Sequence, residues 1–182
     1  LASDAGLLML GSFPPQGKRG SMDFFYPNLQ NDMWRIFGLL FFHDKEHFLL
    51  HGKKAFHKEA LVEFLTDKGI ALYDTATSVR RLQDNASDKF LEVIEPTDIR
   101  LLLKQLPHCQ AIVTTGQKAT DIIRSQIEVK EPAVGESCPF EFEDRSLLLY
   151  RMPSSSRAYP LALEKKANFY RLMLNELGIL QE

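Results

Sequence analysis

Cysteine is scarce: Cys109 and Cys138 are the only two in the chain. Two are too few for a disulfide framework, and an iron–sulfur cluster needs about four protein ligands. The chain therefore reads as cytoplasmic, in a reducing compartment, with both thiols acting as small buried hydrophobes. No apolar run approaches the ~20 residues that a membrane-spanning helix needs. Neither charge sign is in excess, since 22 Lys and Arg face 24 Asp and Glu for a formal net charge of −2. That balance excludes a protein that holds nucleic acid by bulk positive charge. It leaves room for a local phosphate cradle built from backbone N–H groups. Internal repeats, low-complexity linkers and the Walker A, GxGxxG and GxSxG motifs are also missing.

What is present is apolar and aromatic. Hydrophobic residues make up 45% of the 182 positions and 13 of them are Phe. This excludes intrinsic disorder and fits a single domain over residues 1–182 with a substantial core. Short apolar runs at Gly6–Gly11, Ile70–Asp74, Ala111–Thr115 and Ser146–Arg151 predict strands covered on both faces. Between them, amphipathic stretches predict helices over Asp32–Phe41, Lys53–Asp67, Thr97–Leu106, Gln117–Gln126 and Leu161–Leu177. In the last of these, Leu163, Ala167, Tyr170, Leu174 and Leu177 form one stripe, with Gly178 placed to close the C-terminus. Such alternation defines an α/β fold with a mainly parallel sheet. The segment Glu128–Glu143, holding Pro132, Gly135 and Pro139, reads as loop or irregular strand.

Ligands of open parallel sheets sit beyond the carboxyl ends of the strands, and three distinctive loops fall there. The first runs Gly11-Ser12-Phe13-Pro14-Pro15, through Gly17 and Gly20, to Phe24-Phe25-Tyr26-Pro27-Asn28-Leu29-Gln30-Asn31-Asp32-Met33-Trp34. Its three consecutive aromatics are either a stacking platform for a flat ring or anchors of the loop on the core. The second runs Met152-Pro153-Ser154-Ser155-Ser156-Arg157-Ala158-Tyr159-Pro160 into the last helix. Small hydroxyl residues at a helix N-terminus can hold a phosphate, with Arg157 as a second contact; the plainer alternative is an N-cap in a Ser-rich turn. The third, Thr114-Thr115-Gly116-Gln117-Lys118-Ala119, turns from strand to helix and offers hydroxyls to a polar ring edge. His43, Glu46, His47 and His51 have helical spacing but read as a polar face rather than a metal site.

Together the loops resemble the two motifs of the uracil-DNA glycosylase superfamily, on the branch of the mismatch-specific (thymine/uracil) and hypoxanthine-DNA glycosylases. Gly11-Ser12-Phe13-Pro14 with Phe24, Pro27, Asn31 and Trp34 is similar to motif one, and Met152-Pro153-Ser154-Ser155-Ser156 to motif two. The resemblance implies a three-layer α/β/α sandwich around a four-stranded, mainly parallel sheet. It implies excision of a deaminated base, uracil or hypoxanthine, from DNA by base flipping, without metal or cofactor. Carried over residue by residue, Asn31 becomes the catalytic, water-positioning group, with Asn28 as runner-up and Asp74 as a further carboxylate. Gly11, Ser12, Phe13, Phe24 and Thr115 bind the base; Pro153, Ser154, Ser155, Ser156 and Arg157 meet the DNA backbone. Lys18, Arg19, Arg80 and Arg81 are further basic candidates. The expected partner is DNA, met by a monomer away from membranes. Two departures favour a rival reading, a non-catalytic nucleic-acid or nucleotide binding module of the same fold. Phe13 stands where many relatives carry Asp or Asn, and Met152 where motif two often begins with His or Asn. A hydrolase of free nucleosides is a third reading.

Overall fold

Runs of almost unbroken apolar residues need cover on both faces, and a mainly parallel sheet supplies it. The computed structural model describes residues 4–12, 24–52, 54–81 and 91–181. Its strands are β1 (Leu7–Ser12), β2 (Ile70–Asp74), β3 (Ala76–Arg81), β4 (Leu91–Pro96), β5 (Ala111–Thr115), β6 (Ser137–Phe142) and β7 (Arg145–Met152). Five α-helices accompany them among the described residues: α1 (Met33–Phe42), α2 (Lys58–Lys68), α3 (Ile99–Gln105), α4 (Gln117–Gln126) and α5 (Leu163–Glu176).

The main sheet has five strands in the order β2-β1-β5-β7-β6, whereas the sequence pattern led to four. Strands β2, β1, β5 and β7 are mutually parallel, with Leu7 beside both Ile70 and Ala111, and Ala111 beside Leu148. The added strand, β6, pairs antiparallel with β7 at the edge. Pro139 disguised it. Proline removes a ladder donor and so belongs on an edge strand, and there the alternation of buried Phe140 and Phe142 with exposed Glu141 supplies the half-buried pattern. A separate two-stranded sheet pairs β3 with β4 antiparallel, and it is β3 that carries Arg80 and Arg81.

The residues group into two compact units. One comprises Leu1–Gln16 and Gly69–Met152, the other Gly17–Lys68 and Pro153–Glu182. In the first, Leu8, Leu10, Ile112 and Leu149 from the sheet pack with Ile99, Leu102 and Leu103 of α3 and Ile123 of α4. Arg145 closes the end of α3 by donating to the carbonyls of Leu103, Leu106 and Cys109 at 2.9, 2.9 and 2.8 Å. Leu103 lies in the last turn of α3 and Leu106 is its C-cap, while Cys109 belongs to the turn that follows.

In the second unit, α5 buries Ala167, Tyr170 and Leu174 of the expected stripe. Its C-terminus is a Schellman closure: Gly178, with φ +73°, donates to the Asn175 carbonyl and Ile179 to that of Leu174. Helix α2 starts at Lys58 rather than Lys53, because the preceding residues fold into a turn closed by the Leu49–Phe56 bridge. No helix of the described residues is long and apolar enough to cross a membrane.

Tyr170 is wholly buried, and burial, reinforced by Tyr26, pushes its phenol well above the usual 10.0. A raised phenol keeps its proton in the folded chain after the unfolded chain has lost it. Stability is therefore full below about pH 10 and declines as pH rises beyond it. Urea midpoints of the wild type are expected to fall across that range, and those of Tyr170→Phe to fall less.

Candidate functional site

Each unit holds part of the expected site. In the first, β1 has β2 on one side, while β5 continues to β7 on the other, so the chain reverses direction between β1 and β5. The carboxyl ends of the strands flanking such a reversal form the ligand crevice of open α/β sheets. Gly11 and Thr115 occupy those two ends. They touch: a Cβ on Gly11 would lie 1.8 Å from Thr115 Oγ1 and 3.0 Å from the Thr115 backbone nitrogen. Only glycine allows the two strands to approach this closely here. Gly11→Ala is expected to cost about 1–3 kcal/mol by overpacking, with part of the loss recovered by adding Thr115→Ala. Urea unfolding of the single and double variants checks this.

The Thr pair divides its work. Thr114 is wholly buried and its hydroxyl bonds the Thr120 hydroxyl at 2.8 Å, whereas Thr115 Oγ1 has no hydrogen-bond partner among the described residues. Ser12 ends β1 beside Asp74 of β2 in the ladder. Phe13, Lys18 and Arg19 lie outside the described residues. Beyond β5, the first residue of α4, Gln117, donates to Glu131 at 2.6 Å and accepts from Arg151 at 2.6 Å. The Gln117 bond, helped by Arg151, holds the Glu131 carboxyl below its usual range. This polar network beside Thr115 escaped the sequence reading, because its members are 14 to 34 residues apart.

The second unit holds Phe24 and joins Asn31 to the Pro153–Arg157 loop. Phe24 is half-buried and stacks on Trp34, with ring centroids 6.0 Å apart and planes at 28°. Trp34 is wholly buried and donates Nε1–H to the Phe25 carbonyl at 3.0 Å. Tyr26 meets Trp34 edge-on and sits in the left-handed region at φ +48°. A bulky residue there is a strained outlier of the kind that clusters at binding sites.

Asn31 and Ser156 form an antiparallel bridge. The Asp32 N–H donates to the Ser155 carbonyl at 2.7 Å, and the Arg157 N–H to the Gln30 carbonyl at 2.9 Å. The two loops are thus stitched into one surface. Asn31 Oδ1 accepts from the Met33 N–H at 2.9 Å, and its Nδ2 has no acceptor among the described residues. Asn28 is committed likewise, accepting from the Gln30 N–H at 2.8 Å.

The serine loop differs from its expected placement at a helix N-terminus. Helix α5 begins at Leu163 behind Ala162, so Ser154–Ser156 lie too far upstream to cap it. Instead Ser154 Oγ accepts from the Ser156 N–H and Ser156 Oγ from the Ala158 N–H, both at 3.2 Å. Ser155 is buried, and the Pro153 carbonyl accepts from the Tyr170 hydroxyl at 3.4 Å.

Behind the surface lies a charge cluster that the sequence reading missed. The Asp32 carboxylate, almost fully buried, meets Arg157 Nε at 3.1 Å, Lys166 Nζ at 3.3 Å and Arg35 at 3.6 Å. An Asp at a helix N-cap ordinarily bonds the first helical amides, but here the three cations draw it away and Asn31 takes the Met33 amide. Burial and the Arg157 charge lower the Arg35 guanidinium from its usual value. The available signal was Lys166 itself, a lysine four residues before Tyr170 on the inward stripe. His43, His47 and His51 are exposed, and no group of three His, Cys, Asp or Glu among the described residues is placed to hold a metal ion.

The class defined by these features is an α/β fold with a mixed, mainly parallel sheet, whose candidate ligand residues sit at strand ends and in two stitched loops. No family model and no curated protein matches the chain. Among solved structures, the solution NMR structure of a "putative uracil DNA glycosylase" from Methanosarcina acetivorans is similar. Its TM-score is 0.65 at 20% identity, over 98% of this chain and 94% of that one. The likeness is one of fold.

Proposed function

We propose that the chain is a DNA glycosylase that flips a deaminated base, uracil or hypoxanthine, out of DNA and hydrolyses its glycosidic bond. The observation that carries the reading is the stitching of the Asn31 turn to the Ser155–Arg157 loop. A water-positioning amide and a backbone-gripping loop need a fixed spacing, and those hydrogen bonds provide it. The fold shared with the Methanosarcina protein supports the same reading.

The glycosidic carbon is unreachable inside a stacked duplex, so the nucleotide must leave the stack. In this reading the base lies against Phe24, whose seat on Trp34 keeps the ring in place. Asn31 orients the attacking water, and Ser154, Ser156 and Arg157 hold the flanking phosphate, with Arg157 supplying the charge and Ser155 buried beneath them. Cleavage passes through an oxocarbenium-like sugar and an anionic base, so fixed donors around that base lower the barrier.

One observation favours the second reading, a binding module without catalysis: Asn31 Oδ1 already accepts the Met33 N–H. Its remaining lone pair and Nδ2–H must then do the work. Labelled oligonucleotides bearing one uracil, hypoxanthine or mismatched thymine, in single- and double-stranded form, separate the readings. Alkali-labile sites in at least one substrate, with free nucleosides untouched, are expected. Tight binding without cleavage across the set supports the module. Cleavage of free nucleosides independent of strand length supports a nucleoside hydrolase.

A further inference from the structure

Lys166 is 1% exposed, and its ammonium makes two contacts that span the stitched loops. It donates to Asp32 Oδ2 at 3.3 Å and to the Ser156 carbonyl at 2.8 Å. Asp32 follows Asn31 directly, and Ser156 precedes Arg157, so this single group holds both sides of the surface from beneath. Burying an ammonium is costly unless it is paired and hydrogen-bonded, and a methionine of similar length would fill the same space without that cost. Packing alone therefore does not account for a lysine here.

We propose that Lys166, paired with Asp32, is a positioning residue: it fixes the Asn31 turn against the Ser155–Arg157 loop, and base excision depends on the geometry it holds. The inference rests on the glycosylase reading for its chemistry and on the hydrogen bonds alone for its mechanics. Three cations surround the one Asp32 carboxylate. Arg35 is tied to the carbonyls of Leu29 and Asn31 at 2.8 and 3.1 Å, which fixes the turn from its other side. Arg157 has a side chain 46% exposed, and Lys166 and Arg35 already serve the same carboxylate, so its guanidinium can turn to an incoming phosphate without stranding Asp32. Lys166 in this account never touches substrate.

The test uses the full chain with Lys166→Met, the double variant Asp32→Asn/Lys166→Met, and Lys165→Met as an exposed control on the same helix. The double variant removes both charges of the pair, so it leaves no buried ammonium or carboxylate without its partner in that pair, and retained protection at Phe37 and Leu174 shows that it folds. Amide hydrogen exchange is followed at Asp32 and Arg157, whose N–H groups bond the facing loop. Both amides are expected to exchange about tenfold faster than in the wild type, the equivalent of one ordinary hydrogen bond, while Phe37 and Leu174 keep their protection. Single-turnover excision is expected to fall about 100-fold with the KM for DNA nearly unchanged, as for a small misplacement of a reacting group. Lys165→Met should match the wild type in both.

Unchanged exchange at Asp32 and Arg157, or an increase shared by the whole unit, overturns the proposal. So does excision at the wild-type rate in the double variant, a result that leaves the glycosylase reading standing. If the wild type excises nothing but the two amides still loosen in the variants, the loop tie is supported and the glycosylase reading fails.

Discussion

Asp32→Ala is expected to destabilise the folded chain by about 3–5 kcal/mol, the usual cost of removing one member of a buried ion pair. The loss is large because of what remains. Lys166 is buried and loses its carboxylate, and the Arg35 side chain, only 10% exposed, keeps only the weaker attraction of Glu46. Arg157 contributes less, since it can swing into solvent. Native domains are stable by about 5–15 kcal/mol, so the variant retains only part of its margin and its Tm falls by about 10 °C. Asp32→Asn keeps an acceptor for Lys166 and should cost less. Thermal and urea unfolding of both variants check the order. A loss under about 1 kcal/mol for the alanine variant, typical of a solvated surface pair, contradicts the account of the cluster.

Asn31→Ala is expected to lower the excision rate by about 10²–10³, the range seen when one preorganised polar group is removed from a reacting centre. DNA affinity should change little, because the proposed phosphate contacts come from the facing loop. Alanine also removes the acceptor for the Met33 N–H, a cap-like bond worth about 1 kcal/mol, so some stability is lost as well. Asn31→Asp separates the two effects. It keeps the acceptor for Met33 and a lone pair for water, while losing the Nδ2 donor and gaining a negative charge. Substantial excision by Asn31→Asp alongside its loss in Asn31→Ala assigns the side chain to water positioning. Single-turnover rates and binding isotherms for the three proteins supply the comparison. Equal rates in all three remove Asn31 from the chemistry.

Much of the sheet was legible because burial on both faces leaves a local mark. Strands β2 and β5 fall on the predicted residues, and helix α4 runs over Gln117–Gln126 as its pattern indicated. The edge strand β6 was hidden because Pro139 and the surrounding turn residues resemble a loop, and only the Phe140–Phe142 alternation pointed elsewhere. The β3–β4 pair was hidden because β3 is mostly polar and charged and β4 breaks its apolar residues Leu91, Val93 and Ile94 with Glu92 and Glu95. Pairing Asp32 with Lys166 spans 134 positions, a separation that no local pattern encodes. The serine loop was misplaced for a related reason. A run of hydroxyl residues ahead of a helix suggests a cap, but here its side chains bond their own loop. The choice between platform and anchor for the aromatic run also needed the fold: Tyr26 is buried against Trp34, while Phe24 sits on Trp34 only half-covered.

The central claim is that this surface breaks a glycosidic bond in DNA rather than merely holding it. The direct measurement is detection of released base by mass spectrometry, after the purified chain is incubated with oligonucleotides carrying a single uracil or hypoxanthine. The account predicts free base and an abasic strand in equal amounts, from at least one substrate and absent with Asn31→Ala. Oligonucleotides that are bound yet recovered intact, with no base released, contradict it and identify the chain as a binding module.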